Sequence, residues 1–223
     1  MEKYQFIKQS EFFNNLDDSV IKAISSVSEF VSFPKNKIIF LNGDKASHIY
    51  VILNGFVKIY KTSFRGDQTI TRIAKKKEIF GEVSCFSNSY HQLSAETITR
   101  TEILKIPQKE LLQAIKLDED FNNKIIKWLF QRQNYLIKTL EKQTTLNIEE
   151  KLASFIVNLY LEMGNNHELK LPYDKNIIAL QLSTKPETIS RTFKRLTKRK
   201  LIHLQNKTII IDNIEELKKL YQI

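Results

Sequence analysis

Residues 183–204 read Ser-Thr-Lys-Pro-Glu-Thr-Ile-Ser-Arg-Thr-Phe-Lys-Arg-Leu-Thr-Lys-Arg-Lys-Leu-Ile-His-Leu. At helical spacing, Glu187, Ser190 and Arg191 share one face just after Pro186, while Ile189, Phe193 and Leu196 fall on the opposite side. An exposed Arg and Glu one turn apart suit the reading of base edges. Arg donates a bidentate pair to guanine, and Glu accepts from the amino group of cytosine. Lys185, Thr188, Lys194, Arg195 and Lys207 surround them as candidate DNA contacts, chiefly for phosphates. Between Lys185 and Lys207 there are eight Lys or Arg against the single acid Glu187. A basic amphipathic helix also suits a merely solvated face. On that bland alternative Ser190 is simply exposed and Arg191 touches a phosphate.

The elements needed to position these residues are legible on both sides. Lys175–Leu182 predicts a shorter helix with Ile178 and Leu182 inward and Ala179 at a close approach. Helix, tight turn and second helix form a helix-turn-helix. Leu201–Leu204 and Thr208–Ile211 flank the polar turn Gln205-Asn206-Lys207, which predicts a hairpin wing. Asn147 followed by Glu150 predicts a capped helix running to Met163 and a hinge at residues 144–147. Residues 118–143 contain neither Gly nor Pro. Their apolar positions Phe121, Ile125, Trp128, Leu129, Leu136 and Leu140, interrupted by Arg132, are joined by a second flank of Ile126, Phe130 and Ile137. A long helix with two apolar flanks needs two partners, and a second copy of itself gives a parallel coiled coil. Burial within one domain is the alternative.

Upstream the period changes. Short β-rich segments at 30–33, 38–41, 49–53, 56–60, 69–73, 95–98 and 102–106 are punctuated by turns. Four of the five glycines (43, 55, 66, 81) lie among them, which predicts a compact β-roll. Residues 10–28 predict an opening helix. The whole is α+β, with boundaries at 1–116 for a β-roll (jelly roll), 117–145 for a dimerisation helix and 146–223 for the winged helix-turn-helix.

Composition narrows the function. The chain has 223 residues and a formal net charge of +10, which favours an anionic partner, although Lys is abundant throughout. A single cysteine, Cys85, excludes an intrachain disulfide and a cysteine-ligated cluster. No apolar stretch has signal-peptide or membrane-spanning length, so a cytoplasmic protein with no membrane partner is expected. No phosphate-cradling Gly-rich loop, metal-ligand spacing or nucleophile–base set is present, so an enzyme is not expected.

This order of parts resembles the CRP/FNR family of bacterial transcription regulators (cAMP receptor and fumarate-nitrate reduction regulators), which have a cyclic-nucleotide-binding-like roll. The carrying motifs are Asn42-Gly43-Asp44 with Ile49–Gly55, Phe80-Gly81-Glu82 and Glu187-Thr188-Ile189-Ser190-Arg191. The resemblance implies a homodimer on double-stranded DNA, with RNA polymerase as a further partner if it activates. The Glu-x-x-Ser-Arg helix is similar to the FNR branch, implying a TTGA half-site. Arg191 would then meet guanine, Glu187 the opposite cytosine or adenine, and Ser190 a thymine. Ser183 departs from the glycine often found in the turn.

The same resemblance implies an effector pocket at Gly81, Glu82, Ser94, Arg132 and Leu136. It also argues against cAMP. Glu82 matches the ribose-binding Glu and Ser94 keeps a hydroxyl, but Leu93 stands where the phosphate-binding Arg is expected. The adenine-contacting Thr-Ser pair falls near Leu136–Ile137. Glu82 suits a structural role in the turn instead. N-terminal cysteines for an iron–sulfur cluster are absent. Haem with His48 or His91 as ligand, an apolar metabolite, a thiol sensor at Cys85 or no ligand remain, Cys85 also suiting a small core residue. A regulatory subunit acting on a protein partner is the rival function.

Overall fold

The computed structural model describes residues 2–14, 16–87, 90–116 and 120–220. The expected boundary between 116 and 117, the first residues of the expected long helix and the side chain of Phe121 lie outside the described set. The chain forms two compact units, residues 1–133 and 134–223, which divide inside one long helix.

The first unit opens with α1 (Glu2–Lys8) and α2 (Asp18–Val27). Residues 9–14 are turns, which corrects the single opening helix expected over 10–28. Ser10 explains the break. Its hydroxyl donates to the Ile7 carbonyl and accepts from the Phe13 amide, competing with the helical ladder. Phe12, Phe13 and Leu16 are nonetheless buried, so the apolar pattern marked the core correctly but not the backbone.

The strands are β1 (Glu29–Phe33), β2 (Ile38–Phe40), β3 (His48–Asn54), β4 (Val57–Thr62), β5 (Gln68–Ala74), β6 (Ile79–Phe80), β7 (Ser94–Thr97) and β8 (Thr101–Pro107). They make two antiparallel four-stranded sheets, ordered β1-β8-β3-β6 and β2-β7-β4-β5. Strand β3 reads as a continuous apolar run because both its faces are covered. Ile49 and Val51 join the helix-side core with Phe13, Ile21 and Leu111, whereas Tyr50 and Ile52 face the other sheet with Phe40, Ile59 and Phe80. Each such side chain stabilises the roll by roughly 1.5–3 kcal/mol. The Gly81-Glu82 turn opens directly into a short helix, α3 (Glu82–Ser87), and α4 (Gln108–Ile115) closes the roll.

Helix α5 (Phe121–Thr145) leads into α6 (Ile148–Glu162). The expected capping box is complete. Asn147 Oδ1 accepts from the amides of Glu149 and Glu150 at 2.9 and 3.1 Å, and Glu150 Oε2 accepts from the Asn147 amide at 2.7 Å. Then come β9 (Glu168–Lys170), α7 (Lys175–Gln181), α8 (Pro186–Lys198), β10 (Ile202–Gln205), β11 (Thr208–Ile211) and α9 (Ile214–Lys219). The expected wing pairs Ile202 with Ile211 and Gln205 with Thr208. A third strand, β9, lies on its outer side; it was not foreseen because only Leu169 of its three residues is buried.

Candidate nucleic-acid interface and effector site

Helix α8 begins with Pro186, whose fixed φ suits the first helical position. The preceding turn is closed by the Thr184 amide donating to the Ala179 carbonyl at 2.9 Å. Ser183 sits there at φ +54, so it takes the left-handed conformation that glycine adopts without cost. The departure from glycine strains the turn but leaves the motif intact. Ile178 and Ala179 of α7 and Ile189, Phe193 and Leu196 of α8 pack into one core. Leu182 is only partly buried against it.

That packing turns Lys185, Glu187, Ser190, Arg191, Lys194 and Arg195 to solvent, with Thr188 half-buried at the edge. Thr192 is buried and donates to the Thr188 carbonyl. Two of the anticipated contacts are engaged by acids. Arg195 Nε lies 3.7 Å from Glu149, which also holds Arg199 at 2.6 Å, and Lys207 meets Asp174 at 2.7 Å. Exposed pairs of this kind are worth about 0–1 kcal/mol, so a phosphate can compete with them.

An open groove of about 510 Å³ lies between α8 and the wing, lined by Lys175, Ser190, Phe193, Lys194, Thr197 and His203 with Leu204. Lys175 stacks its ammonium 4.9 Å from the Phe193 ring. His203 faces Asp212 at 3.0 Å. Lys175 and His203 were not among the residues anticipated. Lys175 was legible only as the start of the first helix, and His203 only as part of a strand.

In the roll, Gly81 at φ +84 permits a close approach: a Cβ there would come within 3.1 Å of the Tyr50 ring. Glu82 is 6% exposed, and Arg72 Nη1 stands 3.9 Å from its carboxylate. The same guanidinium donates to the Ile79 carbonyl. Arg72 escaped the sequence reading because it lies on β5, ten residues from Glu82. Burial pushes the Glu78 carboxyl up, opposed by the charges of Arg72 and Lys75 and, more weakly, by that of Arg132, which is half-buried on α5. Ser94 is buried, and its hydroxyl accepts from the Asn42 amide at 3.0 Å. Leu93 packs at the edge of the inter-sheet core. Leu136 belongs to the second unit, half-exposed on α5.

His91 and Cys85 are buried, and His48 is partly so. His91 is 3% exposed and stacks on Phe40 at 3.6 Å, 6° from parallel. Phe40, Tyr50 and Phe80 continue the aromatic packing. Burial lowers the pKa of the His91 ring, opposed by the charge of Asp44. His48 hydrogen-bonds Ser47 through Nδ1 at 2.8 Å, and burial together with Lys105 lowers its pKa. Cys85 is 5% exposed and donates to the His48 carbonyl at 3.2 Å. Burial pushes its thiol up to about 11, which disfavours the thiolate, and the side chain packs in the helix-side core.

On α5, Ile125 and Trp128 pack on the helix-side core of the first unit, Trp128 edge-on to Phe12 at 4.9 Å. Ile126, Leu129, Phe130, Leu136, Ile137 and Leu140 form an exposed apolar face. Positions 126, 130, 137 and 140 follow an alternating four-and-three spacing, with Gln133 in step. Among the described residues, no helix is long and apolar enough to cross a membrane, and no group of three or more His, Cys, Asp or Glu could hold a metal.

Comparison with known proteins agrees with this arrangement in both units. A cyclic nucleotide-binding domain profile matches residues 30–118, and a Crp-like helix-turn-helix domain profile matches residues 150–220. The chain is 22% identical over 217 residues to the CRP-like cAMP-activated global transcriptional regulator of Mycobacterium tuberculosis, covering 96% of this chain and 97% of that protein. It is 28% identical over 193 residues to the fumarate and nitrate reduction regulatory protein of Yersinia pestis, covering 83% and 76%. The chain belongs to the CRP/FNR family of transcription regulators. Among solved structures, FixK2 of Bradyrhizobium japonicum shares the fold with a TM-score of 0.78 at 21% identity, covering 88% of this chain and 98% of that one. This CRP/FNR protein is therefore a DNA-binding transcription regulator, in a family of regulators and not of enzymes.

Proposed function

We propose that the protein acts in the cytoplasm as a homodimer that reads a TTGA-type palindrome and answers a signal other than cAMP. The observation that carries the reading is the solvent face of α8, where Glu187, Ser190 and Arg191 stand clear of the Ile189–Phe193–Leu196 core. Arg191 pairs with guanine, Glu187 with the opposite strand, and Ser190 with thymine. Lys185, Thr188, Lys194, Arg195 and Lys207 hold the backbone, joined by Lys175 from the groove. Residues 1–116 serve as sensor, 117–145 as dimerisation helix and 146–223 as reader. The exposed apolar face of α5 supports pairing of two copies, which sets the half-sites about one helical turn apart.

Leu93 brings no cation to the roll, and Arg72 is engaged by Glu82 and the Ile79 carbonyl, which supports a signal other than a cyclic nucleotide. A buried phosphate lacking its own cation is costly to desolvate. Binding of a small effector beside α5 shifts the population of reader arrangements that fit both half-sites, and RNA polymerase is the further partner where the outcome is activation.

Fluorescence anisotropy with a TTGA inverted repeat and a scrambled duplex tests the reading, with cAMP added in one arm. Equal affinity for both duplexes refutes the palindrome, and tightening by cAMP refutes the signal. Absorption spectra after haem addition, with His48→Ala beside the wild type, decide the haem branch: a Soret band that survives the substitution removes His48.

A further inference from the structure

We infer that Arg195 and Arg199 form a seat for one DNA backbone phosphate on each chain, and that Glu149 occupies it in the DNA-free protein. The inference deepens the DNA-binding reading. It concerns the backbone and is independent of the TTGA sequence.

Arg195 follows Arg191 by one helical turn, so it sits on the same side of α8 as the base-reading face but nearer its edge. Arg199 caps the helix one turn further on. Their side chains are 56% and 49% exposed, within reach of an incoming anion. The acid between them is not a mobile surface group. Glu149 lies in the first turn of α6, its own amide held by Asn147, and its side chain is 18% exposed. One carboxylate oxygen takes Arg199 at 2.6 Å and the other faces Arg195 at 3.7 Å. Thr192 accepts from Arg195 Nη2 at 3.3 Å and steadies that guanidinium. The charge of Arg199 also reaches Glu216 on α9, whose own partner is Lys219.

A carboxylate and a phosphodiester present the same two-oxygen anionic edge to guanidinium donors. Glu149 thus stands in for a phosphate at the flank of the recognition helix. Because the arginines are half-exposed a phosphate can reach them, but it must displace the largely buried Glu149 carboxylate, which weakens the net gain. Among the described residues no acid pairs with Arg191 as Glu149 pairs with Arg195 and Arg199, so the clasp restrains sequence-independent affinity more than base reading. Nonspecific binding is essentially the electrostatic part of affinity.

The test is a salt titration of duplex affinity using the full-length chain on the TTGA repeat and on a random duplex. Glu149→Gln should bind both more tightly with little change in log–log salt slope, because no carboxylate has to be displaced while the phosphates held, each worth about 0.9 in slope, stay the same in number. Arg199→Gln in the wild-type background should flatten the slope, and in the Glu149→Gln background it should cancel the gain. Circular dichroism melts establish that each variant is folded, and Arg199→Gln alone carries the test if Glu149→Gln is not. An unchanged slope in Arg199→Gln, or weaker binding by Glu149→Gln, overturns the seat and makes Glu149 a residue that positions the arginines. Loss of discrimination between the duplexes by the wild type would instead refute the palindrome.

Discussion

Leu140→Ala isolates the proposed pairing of α5 helices, because this side chain is 60% exposed in the single chain. Fully burying a leucine is worth roughly 1.5–3 kcal/mol. Three-fifths of that, less the methyl group alanine retains, leaves about 1 kcal/mol per side chain. A two-fold interface counts the loss twice, so dimerisation weakens by about 2 kcal/mol and the dissociation constant rises roughly 30-fold. The stability of the individual units should barely change, since the removed atoms touch mainly water. Ile125→Ala is the matched control. It sits on the same helix but packs into the helix-side core, so it should lower the unfolding stability of the first unit and spare the dimer. Sedimentation equilibrium over a dilution series gives the first quantity and urea denaturation the second. An unchanged dissociation constant for Leu140→Ala, or equal shifts in dimerisation for both variants, refutes the coiled-coil assignment.

Arg191→Ala should cost about 1–3 kcal/mol on the TTGA repeat and little on a random duplex; equal weakening on both, measured by anisotropy, would make Arg191 a phosphate contact. Ser183→Gly should raise stability by about 0.5–1 kcal/mol, because a left-handed residue costs an L side chain more than glycine's extra unfolded-state entropy; a lower urea midpoint contradicts this. Cys85 should resist iodoacetamide at pH 8 in the native state and react promptly once unfolded, and rapid native labelling would restore the thiol-sensor reading. The thiol of Cys85 and the phenol of Tyr50 are held up to about 11 and about 12, so the folded state keeps protons that the unfolded chain has already released. Their contribution is therefore full below the unfolded pKa values and is lost as pH climbs towards the folded ones, which pH-dependent melts between about 9 and about 12 should register.

Much of the architecture was written in short-range chemistry. The asparagine and glutamate three residues apart at 147 and 150 specify their own helix start, because the two hydrogen bonds need nothing beyond one turn of backbone. The face of α8 follows in the same way from Ile189, Phe193 and Leu196, whose burial dictates which residues are left outside. Where a local hydrogen bond competed with periodicity, as at Ser10, the apolar pattern located core residues but misjudged the helix.

The rest depended on residues distant in sequence. Arg72 reaches Glu82 because β5 and the start of α3 converge in the folded roll, and Glu149 meets Arg199 across 50 positions. Nothing in the spacing of such residues marks them as partners; only packing brings them together. The surroundings of His91 and Cys85 were likewise set in three dimensions, where one ring stacks on Phe40 and the thiol meets the His48 carbonyl. The amino-acid order alone determined the reading helix, its wing and the apolar face of α5, because each is periodic along a single element. Tertiary structure alone decided which charges oppose one another and which titratable groups lose their water, because both depend on distances the chain sets only once it has folded.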